Sequence, residues 1–104
     1  MRIIARSTLR EFWEAYPDAE QPLKAWFDEA SRAEWDSPVN IESTYRNASI
    51  IPNNRVFFNI KGNDYRLIVH VRYDIRIIFI RFIGTPKEYD NVDATSILGS
   101  NTYA

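Results

Sequence analysis

Residues 55–84 read RVFFNIKGNDYRLIVHVRYDIRIIFIRFIG, and this stretch decides the fold. Its apolar positions recur every second residue, the period of a half-buried strand. Arg55–Ile60 is one predicted strand, Tyr65–Tyr73 a second and Arg76–Ile83 a third. Between the first two, Lys61-Gly62-Asn63-Asp64 has the composition of a hairpin turn, with Gly62 free to take positive φ. Asp74 and Ile75 make the next connection tight, and Gly84 ends the run. The product is an antiparallel meander.

Upstream the apolar period is 3.6. Leu9, Phe12, Trp13 and Tyr16 fall at i, i+3, i+4 and i+7, one helical stripe, and Thr8 with Glu11 has the spacing of a capping box. Pro17 closes that helix. Ala19, Leu23, Trp26, Phe27 and Ala30 mark a second, beginning between Asp18 and Gln21 because Pro22 suits only a first turn, and ending near Glu34. Ser37 and Pro38 read as an N-cap and first position of one helical turn through Val39, Ile41 and Tyr45. The Asn- and Pro-rich stretch 46–54 reads as a loop, and residues 2–5 suit a short first strand. Thr85-Pro86-Lys87-Glu88 is a second capping box with proline at the first helical position, so a short helix follows the sheet. Residues 95–104 lack apolar periodicity and are expected to form a loose tail, leaving 1–94 as one domain. The fold class is α+β: N-terminal helices on one face of a small antiparallel sheet, with a short C-terminal helix.

Composition narrows the function classes. No stretch among the 104 residues approaches the roughly 20 apolar residues of a membrane span, and the start lacks a signal-peptide pattern, so a cytoplasmic protein without membrane contact is expected. With no cysteine and one histidine, His70, neither a disulfide framework nor a zinc site is expected, and no cofactor-binding motif is present. The net charge is −1, but it is unevenly spread. Residues 1–52 hold six bases against nine acids, a balance of −3. Residues 55–87 hold seven bases (Arg55, Lys61, Arg66, Arg72, Arg76, Arg81 and Lys87) against Asp64 and Asp74, a balance of +5. Affinity for phosphate follows the local field, so the sheet segment can bind an anion on a neutral chain.

Alternation then sorts the faces. Leu67, Val69, Val71 and Tyr73 point one way on the second strand, and Arg66, Ile68, His70 and Arg72 the other. On the third, Ile78, Ile80 and Phe82 make the better core set, sending Ile77, Phe79, Arg81 and Ile83 to the open face. Cations interleaved with aromatic rings suit single-stranded RNA, whose bases stack and whose phosphates pair. The same pattern also describes a solvated outer face, and His70 by itself also fits a structural role.

Two segments go further. Phe57-Phe58-Asn59-Ile60-Lys61-Gly62-Asn63-Asp64-Tyr65-Arg66-Leu67-Ile68, followed by Ile80-Arg81-Phe82-Ile83-Gly84-Thr85-Pro86-Lys87-Glu88-Tyr89-Asp90, resembles the HigB toxin family, part of the RelE-like ribonucleases of type II toxin–antitoxin systems. Phe12, Tyr16-Pro17, Leu23, Trp26 and Trp35 fall at the family's helical landmarks, so the resemblance spans residues 1–94. It implies an mRNA endonuclease working on translating ribosomes without a metal or other cofactor, by attack of the ribose 2′-OH on the adjacent phosphate. It also implies a HigA-like helix-turn-helix antitoxin as partner, with DNA contacted only through that antitoxin. Carried over by motif, Arg66 and Arg81 contact phosphate or the transition state, and Lys87 and Tyr89 serve as cation and proton donor. Proton transfer to a base falls to His70, to Tyr89 or to groups of the ribosome. Asn59 and Asn63 shape the hairpin or hydrogen-bond RNA, and Lys61, Arg72 and Arg76 add cations along the RNA path. One position departs: family members often have histidine just after the threonine of Gly-Thr-x-x-Glu-Tyr-Asp, and here it is Pro86. A toxin weakened as a catalyst, acting as a regulatory partner of its antitoxin, is therefore the alternative. A toxin of the same fold aimed at a protein target is a third.

Overall fold

The computed structural model describes residues 1–46 and 48–97. A five-stranded sheet in the order β1-β5-β4-β3-β2 carries helices on one face. The strands are β1 (Arg2–Ile4), β2 (Ala48–Ile51), β3 (Arg55–Ile60), β4 (Tyr65–Arg72) and β5 (Ile77–Gly84). The helices are α1 (Arg6–Ala15), α2 (Glu20–Arg32), α3 (Pro38–Thr44) and α4 (Pro86–Tyr89), with a 3-10 turn at Pro17–Ala19. β1 runs parallel to β5 while the other pairs are antiparallel, so the sheet is mixed. No helix among the described residues is long and apolar enough to cross a membrane.

Leu9, Phe12 and Trp13 of α1 and Leu23, Trp26 and Ala30 of α2 are buried against the sheet, as the 3.6 period requires. From the sheet come Val56, Phe58 and Ile60 of β3, Tyr65, Leu67, Val69 and Val71 of β4, and Ile78, Ile80 and Ile83 of β5. Phe58 is a hub: the rings of Trp26, Trp35 and Tyr45 lie 5.5, 6.4 and 5.1 Å from its own. Burying an aromatic side chain of this size contributes roughly 1.5–3 kcal/mol, so this cluster anchors α2 and α3 to β3.

Several local expectations need correction. The Thr8–Glu11 pair caps nothing, because α1 starts at Arg6, and the Thr8 amide already donates to Ala5 O at 3.2 Å inside the first turn. The expected loop 46–54 contains β2. Its Asn and Pro residues form only the Pro52–Asn54 turn, where Asn53 and Asn54 take φ of 65° and 59°, and the β-branched Ile50 and Ile51 pair with Val56 and Arg55. The faces of Phe82 and Ile83 are exchanged. Val69 pairs with Ile80 but Ile68 pairs with Phe82, so Arg81 is an additional residue in a β-bulge and alternation slips by one place beyond it. Ile83 therefore joins the core, and Phe82 turns to the face opposite the helices. Of the expected tail, Thr95 and Ile97 carry carbonyls bonded to Asn53 and Arg55, and residues 98–104 lie outside the described residues.

Gly84 ends β5 where the chain folds back over its own sheet. A Cβ there would sit 2.5 Å from Phe82 Cζ and 3.1 Å from Glu88 Oε1. Glu88 in turn accepts the Thr85 amide at 2.9 Å, closing the capping box that starts α4. Gly84→Ala is expected to destabilise the protein by about 1–3 kcal/mol, the cost of overpacking a tight site. Urea unfolding checks this, with a midpoint shift at unchanged slope as the expected result.

Candidate functional site

The sheet face away from the helices is built in cross-strand rows. The turn at Lys61–Asp64, with φ of 53° at Lys61 and 64° at Gly62, pairs Ile60 with Tyr65. Every later pair follows from that one: Asn59 opposes Arg66, Phe57 opposes Ile68 and Arg55 opposes His70. On the other side of β4, Gly84 lies beside Arg66, Phe82 beside Ile68, Phe79 beside His70 and Ile77 beside Arg72. A polar end, an apolar middle and a basic end result.

At the polar end, Arg66 packs against two rings that touch each other. Its guanidinium carbon lies 5.2 Å from the Phe57 centroid and 5.0 Å from the Tyr89 centroid, and those centroids are 5.4 Å apart. Such contacts fix the plane of the cation without using its N–H donors. Tyr89 arrives from α4, which also carries the exposed Lys87. Beneath Tyr89 the apolar row is sealed, Ile68 being 0% and Phe82 6% exposed.

At the basic end, Arg81 lies 4.9 Å above the Phe79 ring, and Phe79 lies 6.1 Å from His70. Arg55, opposite His70, is only 4% exposed. Burial first, and then the charges of Arg55, Arg81 and Arg72, hold the His70 imidazole below the 6.5 of a free histidine. Neutral His70 has a ring nitrogen that can accept a proton near neutral pH. Among the described residues, no group of three or more His, Asp or Glu side chains could hold a metal ion.

The structure therefore brings Arg66, Asn59 and Tyr89 together at one end of this face, and Arg81, His70 and Arg72 at the other, while Lys87 is exposed on α4, two residues before Tyr89. Three expected RNA-binding residues stand elsewhere. Lys61 sits in the β3–β4 turn, bonded to Asp18 at 2.9 Å and Asp64 at 3.1 Å, and Asn63 is exposed in the same turn. Arg76, with φ of 59° between β4 and β5, pairs with Asp36 at 2.6 Å. Arg72 remains at the rim of the face but is paired with Asp74 at 2.9 Å. Sequence reading passed over Arg55 as a site residue. Its signal was available in the register, since a turn that pairs residue 60 with 65 must pair 55 with 70.

The chain matches the HigB toxin family, described as the RelE-like toxic component of a toxin–antitoxin system, over residues 19–92. The mRNA interferase toxin HigB of Escherichia coli strain K12 is 24% identical over 92 residues, covering 86% of this chain and 88% of its own length. The mRNA interferases HigB of Escherichia coli O157:H7 and of Shigella flexneri match to the same extent.

Because the folded value of His70 lies below that of the unfolded chain, protonation favours unfolding, and stability is lost as pH falls from 6.5 through the folded value. The single imidazole is expected to titrate below 6.5 by NMR. In Arg55→Met, which removes one repelling charge, it is expected to move back toward 6.5.

Proposed function

This chain belongs to the HigB family, the RelE-like toxic component of toxin–antitoxin systems, and from that premise we propose that it is an endoribonuclease that cuts mRNA on the ribosome. The relatives named mRNA interferase point to this activity. The observation that carries it is Arg66, packed against the paired rings of Phe57 and Tyr89 on the same sheet face as Arg81 and His70. A cation packed against two rings, beside further rings, offers a charge for the phosphate and stacking surfaces for the bases.

The reaction is a metal-independent transfer within the RNA. A base removes the 2′-OH proton, the 2′-oxygen attacks the adjacent phosphorus, the P–O5′ bond breaks, and a proton passes to the departing 5′-oxygen. A 2′,3′-cyclic phosphate and a 5′-OH end result. Neutral His70 is the base, since its lowered pKa leaves the ring nitrogen able to accept a proton. Arg66 and Arg81 stabilise the extra negative charge of the phosphorane. Tyr89 or Lys87, both on α4, supplies the proton to the departing 5′-oxygen. Asn59 binds the RNA beside Arg66, with Arg72 at the rim, while Lys61, Asn63 and Arg76 contact the ribosome-bound RNA from the hairpin turns. The partners are the ribosome and a HigA-like helix-turn-helix antitoxin, and the site of action is the cytoplasm.

Pro86 favours a second reading, a toxin weakened as a catalyst that persists through antitoxin binding. It occupies the first position of α4, where the family often has histidine, and proline can transfer no proton. Pro86→His raising the cleavage rate by an order of magnitude or more would support that reading.

Controlled expression in bacteria tests the main proposal. Wild type is expected to stop growth and create mRNA fragments with 5′-OH ends. Arg66→Ala and Arg81→Ala are each expected to lower cleavage by about 10²–10³-fold, as for loss of one transition-state donor. A folded, well-expressed wild type that leaves growth and mRNA intact rules the enzyme out. In vitro, the acid limb of the rate profile should fall below 6.5, following His70.

A further inference from the structure

Arg55 is the sole charged residue among the buried side chains of the described residues, and its charge is poorly compensated. Its Nη1 donates to the Ile97 carbonyl at 2.5 Å, while its Nε is buried without a hydrogen-bond partner. Its pKa is lowered, first by burial and next by repulsion from Arg81, with only Asp93 acting in the opposite sense. The Asp93 carboxylate is itself engaged, accepting the Thr95 amide at 3.0 Å and the Thr95 hydroxyl at 2.7 Å. A buried guanidinium held by one neutral carbonyl leaves donors unmet, and an anion would meet them better.

The chain that supplies the carbonyl crosses after α4 to the start of β3. Among the described residues, two side-chain bonds tie it there: Arg55 to Ile97, and Asn53 Nδ2 to Thr95 O at 2.9 Å. Its remaining bonds are local turns, from Ser96 and Ile97 back to Asp93. The segment thus lays the Ile97 peptide oxygen on the cation that opposes His70.

We propose that Arg55 is a further phosphate-binding residue of this site, and that the Asp93–Ile97 segment occupies it in the free protein as an internal stand-in for the RNA backbone. RNA entering the basic end displaces the Ile97 carbonyl and gives Arg55 a phosphate in its place. This rests on the ribonuclease reading above, and the test separates the two.

The probe is a short single-stranded RNA with 2′-O-methyl groups throughout, so that it binds without being cut. Saturating the full chain with it is expected to speed hydrogen exchange at the amides of residues 93–97. Asn53→Gly removes one tether while suiting the left-handed backbone of that position, and is expected to tighten RNA binding by roughly 3–10-fold, the equivalent of one hydrogen bond. Arg55→Met is expected to weaken binding and to abolish the gain when combined with Asn53→Gly. RNA that binds in an Arg66-dependent way, yet leaves residues 93–97 as protected as before and ignores Asn53→Gly, overturns the strap and leaves the ribonuclease reading standing. RNA that binds no better to wild type than to Arg66→Ala counts against both.

Discussion

The register set by the Lys61–Asp64 turn is the constraint on which the rest of this molecule depends. Two consecutive left-handed residues, Lys61 and Gly62, give the hairpin a twist matching its strands and join Ile60 to Tyr65. A slip of one residue would carry Leu67, Val69 and Val71 out of the core and press Arg66 and His70 into it. The penalty for burying those cations holds the register as firmly as the apolar contacts do. Tyr65 adds a lock at the same point: its hydroxyl donates to Asp18 beneath α2, and that carboxylate also holds Lys61. The Asp18 bond is the largest contribution raising the tyrosine to about 12, so the phenol stays protonated and keeps donating across the ordinary pH range.

The cations of the sheet segment divide by position. Those at hairpin ends, Lys61, Arg72 and Arg76, meet acids in exposed pairs, which contribute little to stability and are readily exchanged for other anions. Those within strands, Arg66 and Arg81, lie on rings contributed by neighbouring positions of the same face. The local excess of bases over acids in residues 55–87 gives this segment a positive field on a chain of net charge −1.

Most of this arrangement was legible in the sequence because it rests on period. Alternation over 65–72 placed Arg66, His70 and Arg72 on one side before any coordinates, and the capping box of Thr85 and Glu88 located α4. What escaped lacks a periodic signature. The bulge at Arg81 leaves the apolar residues on either side unchanged in kind, so Phe82 and Ile83 looked interchangeable until pairing showed which one the core took. β2 was hidden by the Asn-Pro cluster of its own turn. The Thr8–Glu11 spacing was a true pattern with no use, because the chain leaving β1 had already entered the helix. Arg55 was counted as a charge but not as a site residue, since its burial depends on a carbonyl 42 residues away.

Arg81 stands outside the ladder that builds the sheet. With that residue removed, Ile78, Ile80 and Ile83 would alternate with Ile77, Phe79 and Phe82 without interruption, and each would keep its present partner on β4. The pairing of β4 with β5 is therefore complete without it. A side chain carried in a bulge is uncoupled from strand pairing, so a substitution here changes the charge on the face while the architecture around it stays the same.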